Sequence, residues 1–162
     1  MPYCKLLSDQ ITKYSQETIE QYKDRLYSEY IDAFYTNKFT FRGKPVALRH
    51  EPKVGKYENS FHHLTTKVFK ANTSFQHREF DYARAERIRW IKELLLSHPC
   101  YEGCCNGILE WKENNRVHLF LEIESYLIVL EERKNYYLLV SAYYVMNGKE
   151  RDKLLKRYNR AV

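Results

Sequence analysis

The C-terminal half of the chain alternates between apolar and polar positions. In "RVHLFLEI", residues 116–123, Val117, Leu119, Leu121 and Ile123 share one parity, and Arg116, His118, Phe120 and Glu122 share the other. That period of two is expected of a strand whose faces meet different surroundings. Comparable runs flank it, "ILEWKE", "SYLIVLEE" and "YYLLVSAYYV", separated by short polar breaks such as "NN" and "RKN". Together they predict a four-stranded antiparallel β-meander. The Val117 set should meet helices, and the Arg116–His118 set should form a more polar, functional face. Along 136–145, strict alternation groups Tyr137, Leu139, Ser141, Tyr143 and Val145, the set with the more useful hydroxyls.

Earlier in the chain the period is helical. Ile11, Tyr14, Tyr22, Leu26, Tyr30 and Phe34 predict a helix over residues 9 to about 36, capped by Ser8 or Asp9. A loop-rich stretch follows, punctuated by Gly43-Lys44-Pro45 and by Pro52 to Gly55. "SFHHLTTKVF" has the β-branched and aromatic composition of a strand. "FDYARAERIRWIKELLL", residues 80–96, predicts a helix that Asp81 caps and that ends near His98-Pro99, because a residue before proline avoids helical geometry. A short basic helix or tail, "GKERDKLLKRYNRAV", closes the chain. These elements make one α+β domain, with helices packed on the meander. Residues 1–38 form an N-terminal helical element and 39–162 the core. No apolar run is long enough to span a bilayer, and no secretory leader is evident. The expected setting is a cytoplasm, whether that of the producing cell or of a target cell into which the protein is delivered.

The helix at 80–96 poses a question. At about 100° per residue, Ala83, Ile88, Trp90, Ile91, Leu94 and Leu95 form one apolar arc, and Arg84 and Arg87 project into its middle. A buried guanidinium without a partner costs roughly several kcal/mol. Either a buried carboxylate such as Glu110 or Glu122 pairs with these arginines, or the helix's first turns border a cleft where they reach a substrate phosphate.

Charge and composition then enter. The chain has 162 residues, with Lys plus Arg at 27 against Asp plus Glu at 21, a net charge of +6, and 15 Tyr, 8 Phe and 2 Trp. Basic charge attracts phosphates, and aromatic rings stack on unpaired bases. The same numbers also fit a tyrosine-rich sheet in an ordinary basic protein. His98, Cys100, Cys104 and Cys105 could be imagined around zinc, but adjacent cysteines rarely point at one ion, so the stretch reads as a plain loop with reduced thiols. No G-x-G-x-x-G or G-K-[ST] motif occurs, and no pair of carboxylates suits metal-dependent phosphodiester cleavage; neither cofactor nor metal is expected. What remains is a set of His, Arg, Lys, Ser, Thr and Tyr that suits RNA cleavage by the adjacent 2′-OH. His63 in "FHHLTTK" reads either as an acid or base or, like His62 on the opposite strand face, as a half-exposed strand residue. His118 lies mid-strand on the polar face, and His77 reads as a loop residue.

Three blocks carry a family likeness: "GKPVALRHEP…GKYENSFHHLTTK", "DYARAERIRWIKELL", and "ESYLIVLEERKNYYLLVSAYYV" before "KLLKRY". Over roughly residues 42–158 the chain resembles bacterial and prophage proteins of the superfamily uniting barnase, EndoU, tRNA-cleaving colicins and RelE. The resemblance implies a helical layer on a four-stranded antiparallel sheet (the BECR fold), whose open face cleaves RNA without metal to leave a 2′,3′-cyclic phosphate. It also implies a toxin, with tRNA among its substrates and an antitoxin or immunity protein as partner. It makes His63 the acid or base, Arg87 the stabiliser of the phosphorane, and Ser141 and Tyr143 residues of the last strand lining the site. Thr65, Thr66, Arg84, Lys92, Arg116 and His118 are the expected RNA contacts. Two other readings stand beside it: a non-catalytic module binding nucleic acid or protein, and an ADP-ribosyltransferase-like toxin.

Overall fold

The computed structural model describes residues 2–70, 77–98 and 107–161. The first helix, α1 (Ile19–Ile31), starts later than expected. Thr18 accepts from the Gln21 amide and the Gln21 side chain accepts from the Thr18 amide, a reciprocal cap that sets the boundary. The helix then continues through a π-helical turn, Asp32–Thr36. Ser8 does not cap it; its amide and hydroxyl donate to Glu93. Ile11, the first residue of the expected helical pattern, enters the core from irregular chain, as does Leu7.

A hairpin joins β1 (Thr40–Phe41) to β2 (Lys44–Ala47). Its turn residues Arg42 and Gly43 both have positive φ, 52° and 78°, the geometry of a tight two-residue connection. The expected strand at "SFHHLTTKVF" begins instead as helix α2 (Asn59–Thr65). Phe61 and Leu64, three apart, supply its buried side together with Ser60 and Thr65. Only at Thr66 does the chain extend into β3 (Thr66–Lys70), which pairs antiparallel with β4 (His77–Phe80) in a separate two-stranded sheet.

The arginine-bearing helix is two helices, α3 (Tyr82–Ala85) and α4 (Ile88–Ser97). Asp81 caps the first, accepting from the Ala83 and Arg84 amides, and the second ends just before His98. The break has an identifiable cause. The Glu86 carbonyl accepts from the Ile11 amide at 2.8 Å, and the Trp90 amide turns to the Arg87 carbonyl at 3.0 Å.

Strands β5 (Ile108–Glu113), β6 (Arg116–Leu121), β7 (Tyr126–Glu132) and β8 (Tyr137–Tyr144) and helix α5 (Gly148–Ala161) occupy the C-terminal half. A four-stranded antiparallel meander is nevertheless not the architecture. The sheet has six strands in the order β1-β2-β8-β7-β6-β5, is mixed because β2 runs parallel to β8, and curls into a half-barrel. The added strands escaped the sequence reading because they are short, interrupted by Pro45, and paired to β8 only at Val46 and Ala47.

One sheet face, with Val117, Leu119, Leu121, Ile128 and Leu139, packs against Tyr22 and Leu26 of α1 and Trp90, Ile91 and Leu94 of α4. The other face is not open. Phe120, Trp111, Leu127 and Val129 lie in a second cluster with Leu154 of α5. Strict alternation in β8 is also corrected. Val129 faces Ser141 while Leu130 faces Leu139, so Val140 is an extra, bulged residue. Tyr137 and Leu139 therefore point into the main core, whereas Tyr143 and the following Val145 join the cluster beneath α5.

Because Leu154 is 2% exposed within that cluster, Leu154→Ala should lower unfolding stability by about 2–4 kcal/mol in urea titration. A loss below about 0.5 kcal/mol, the range of ordinary surface changes, would mean that α5 is a solvated tail.

Candidate functional site

The site forms where the sheet leaves β8 uncovered. β2 reaches only Tyr137 and Leu138, so the edge from Leu139 to Tyr144 has no strand neighbour, and α2 and α3 lie against it instead. Between these helices, the two-stranded sheet and β8 is a cleft of about 440 Å³, lined among others by His63, Lys67, Arg78, Arg84, Ser141 and Tyr143. Asn147 and Glu150 close it from the start of α5.

Two guanidiniums converge in this cleft. Arg78 Nη2 and Arg84 Nη1 donate to the same backbone carbonyl, that of Thr66, at 2.8 and 3.0 Å. Arg78 also donates from Nε to Thr66 Oγ1 at 2.9 Å and from Nη2 to the His63 carbonyl at 3.3 Å. Its partners are thus neutral oxygens, and among the described residues no carboxylate forms an ion pair with it. Arg84 has Asp81 at 3.5 Å and lies over the Tyr143 ring at 4.8 Å. Burial first, and then the neighbouring Arg84, lower the pKa of Arg78; burial is also the main cause for Arg84. Both stay charged, since arginine does not lose its proton in proteins. The like charges are held together by a carbonyl dipole that an anion could replace to advantage.

His63 faces them. On a helix successive side chains diverge by about 100°, so His62 turns towards Lys23 and Phe80 while His63 turns to the cleft. Its ring has no hydrogen-bond partner among the described residues. Burial first, then the charges of Arg78, Arg84, Arg49 and His62, push its pKa from 6.5 down to about 4. The imidazole is therefore neutral at pH 7 and available as a proton acceptor. Tyr143 donates to Glu150 at 3.1 Å, and burial, followed by that carboxylate, pushes its phenol up to about 12. It remains a protonated hydroxyl.

Of the residues expected at the site, His63, Arg84, Ser141 and Tyr143 come together. Thr66 contributes by accepting from Arg78 while its hydroxyl donates to the His62 carbonyl at 2.5 Å. Thr65 is buried and spends its hydroxyl on the Phe61 carbonyl. Arg87 does not line the cleft. It donates to Glu86 and the Ala83 carbonyl and lies 4.3 Å over the Tyr144 ring, contacts internal to the fold. Neither carboxylate expected to hold it does so: Glu110 pairs with Arg42 and His98, and Glu122 with Arg151. Lys92 is remote, donating to the Asn37 carbonyl. His118, 4% exposed, stacks on Trp111 and accepts from Arg157 at 3.1 Å beneath α5. Arg116 sits at the start of β6, beside a smaller cavity.

Lys67 and Arg78 were not anticipated. The available signal was the pair of short alternating stretches "TTKVF" and "HREF", whose hairpin pairing sets Val68 opposite Arg78. Cys100, Cys104 and Cys105 lie outside the described residues; among the described residues no group of His, Cys, Asp or Glu is arranged to hold a metal. No described helix is long and apolar enough to cross a membrane.

NMR titration of His63 should therefore give a midpoint near 4, rising when inorganic phosphate occupies the cleft and offsets the arginines. Because the folded-state value is depressed, stability should be full above about pH 6.5 and decline as the pH falls towards 4, while the unfolded chain takes up the proton first. A midpoint near 6.5 that ignores phosphate would contradict this electrostatic picture. No protein-family model matches the chain, and no characterised protein or solved structure shows significant similarity to it.

Proposed function

We propose that the chain is an endoribonuclease of the 2′-OH-attacking type, acting on RNA in a cytoplasm. The observation that carries the reading is the pair of guanidiniums crowded on one carbonyl beside an unpaired, neutral imidazole. That combination binds a phosphate and accepts a proton next to it. The net charge of +6 and the Tyr143 and Tyr144 rings in the cleft suit a nucleic acid as the source of the phosphate.

In the proposed step His63 takes the proton of the 2′-OH, the 2′-oxygen bonds to phosphorus, and the bond to the 5′-oxygen breaks. Arg78 and Arg84 stabilise the extra negative charge of the phosphorane, the role that the family resemblance implies for Arg87. Tyr143, still protonated at neutral pH, supplies the proton to the departing oxygen, and Ser141 donates to a phosphate oxygen. The product is a 2′,3′-cyclic phosphate. A growth-arresting nuclease of this kind calls for an antitoxin or immunity protein that covers the cleft.

Incubation of the protein with total tRNA in EDTA should yield 2′,3′-cyclic phosphate ends. His63→Ala should lower the rate by about 100-fold or more, the usual weight of a general base. Arg84→Gln should cost about 100-fold or more, and Arg87→Gln should lower stability with far less effect on the rate. Cleavage unchanged in His63→Ala would remove the imidazole from the mechanism. Undegraded RNA that still binds with steep salt dependence would instead favour a non-catalytic RNA-binding module.

A further inference from the structure

His63 lines two cavities, not one. Sharing His63 with the cleft just described is a smaller cavity of about 130 Å³ bordered by Arg49, Asn59, Ser60, His63, Arg116 and Val140. The imidazole therefore stands at the junction of two basic surfaces, Lys67, Arg78 and Arg84 on one flank and Arg49 and Arg116 on the other.

The second flank has charge to spare. The Arg49 side chain makes no hydrogen bond or ion pair with any described residue, and its charge is among those that hold His63 low. Arg116 is only loosely matched. Its Nε is 4.0 Å from Glu131, whose closer partner is Arg133, and its side chain is 51% exposed. Asn59 uses its amide nitrogen on the Pro52 carbonyl, which leaves its position fixed at the rim. The bulged residue Val140 of β8 forms part of the wall.

We infer that Arg49 and Arg116 form a second anion subsite, and that the substrate is a polynucleotide strand with phosphates on both sides of His63. The inference rests on the nuclease reading for the identity of the strand, and on the geometry of the two cavities for the subsite. A single phosphate would engage one flank only. A strand carrying neighbouring phosphates neutralises both, which favours oligonucleotides over mononucleotides and makes binding strongly dependent on salt.

The test is fluorescence anisotropy with a labelled, non-cleavable 2′-O-methyl octanucleotide, measured from about 50 to about 200 mM NaCl, a range over which the Debye length falls by about half. A mononucleoside 3′-phosphate, followed through the ring resonances of Tyr143, which lines the main cleft and not the smaller cavity, reports on the main cleft. In the double variant R49Q/R116Q the slope of log affinity against log salt should fall by about one to two, since each phosphate contact in a single strand contributes about 0.7. Mononucleotide binding should change less than about twofold, because the main-cleft contacts are kept. The charge reversals R49E and R116E should weaken the octanucleotide further in each case, with unfolding midpoints close to wild type. An unchanged slope in R49Q/R116Q, or equal losses for octanucleotide and mononucleotide, overturns the subsite. If the wild type binds with the expected slopes yet leaves RNA intact, the subsite stands and the nuclease reading falls. If it cleaves RNA while R49Q/R116Q binds like wild type, the nuclease reading stands and the subsite falls. Failure of the wild type to bind the octanucleotide overturns the subsite, and the nuclease reading falls with it where total tRNA is also left intact.

Discussion

An exposed strand edge must be covered or paired, and in this protein β8 is paired on that side for only two residues. The rest of the edge is covered by α2 and α3, and that substitution of helices for a strand organises everything around the cleft. It brings the C-terminal end of α2, with His63, beside the start of α3, with Arg84. It also leaves β3 free to pair with β4 in a separate sheet, which delivers Lys67 and Arg78 to the same opening. The bulge at Val140 completes the arrangement by re-aiming Tyr143 without disturbing Leu139 in the core.

The cleft is electrostatically costly before any ligand arrives. Arg78 and Arg84 share one carbonyl, and His63 gives up its charge because the surroundings are already positive. Half-buried like charges of this kind oppose folding, and an anion between them would remove the opposition. Stability elsewhere is supplied by the two clusters on the sheet's faces, with Trp90, Tyr126, Leu119 and Ile128 on one and Phe120 and Leu127 on the other, all at or below 1% exposure. Ordinary apolar packing thus tolerates an unfavourable charge distribution at the edge, the pattern expected where function and stability compete.

Much of the fold was legible. The C-terminal strands announced themselves because each is long, strongly patterned and bounded by polar turns, and Asp81 marked a helix start with a side chain that does cap it. Other elements were not legible. "SFHHLTTKVF" has strand composition yet opens as a helix, because Phe61 and Leu64 bury together three residues apart and tertiary burial outweighs β-propensity. The break between α3 and α4 depends on a carbonyl captured by Ile11, more than seventy residues away in the chain, and no local pattern encodes it. Arg84 and Arg87 look equivalent on a helical wheel. That break separates them, sending Arg84 to the cleft and Arg87 to Glu86 and Tyr144.

Sequence alone determined the chemistry on offer and most of the regular elements: a basic, aromatic chain with His63, Arg84, Ser141 and Tyr143, strands at its C-terminal half, and an apolar helix to cover them. These follow from side-chain type and short-range periodicity, which are properties of the chain itself. Tertiary structure decided which of those groups meet. The parallel β2–β8 pairing, the bulge, the cover that α5 places over His118, and the convergence of Arg78 with Arg84 all join segments far apart in the chain. Such contacts form because exposed edges and apolar faces seek the nearest cover in space. Their outcome depends on the whole chain, and a local stretch of sequence cannot contain it.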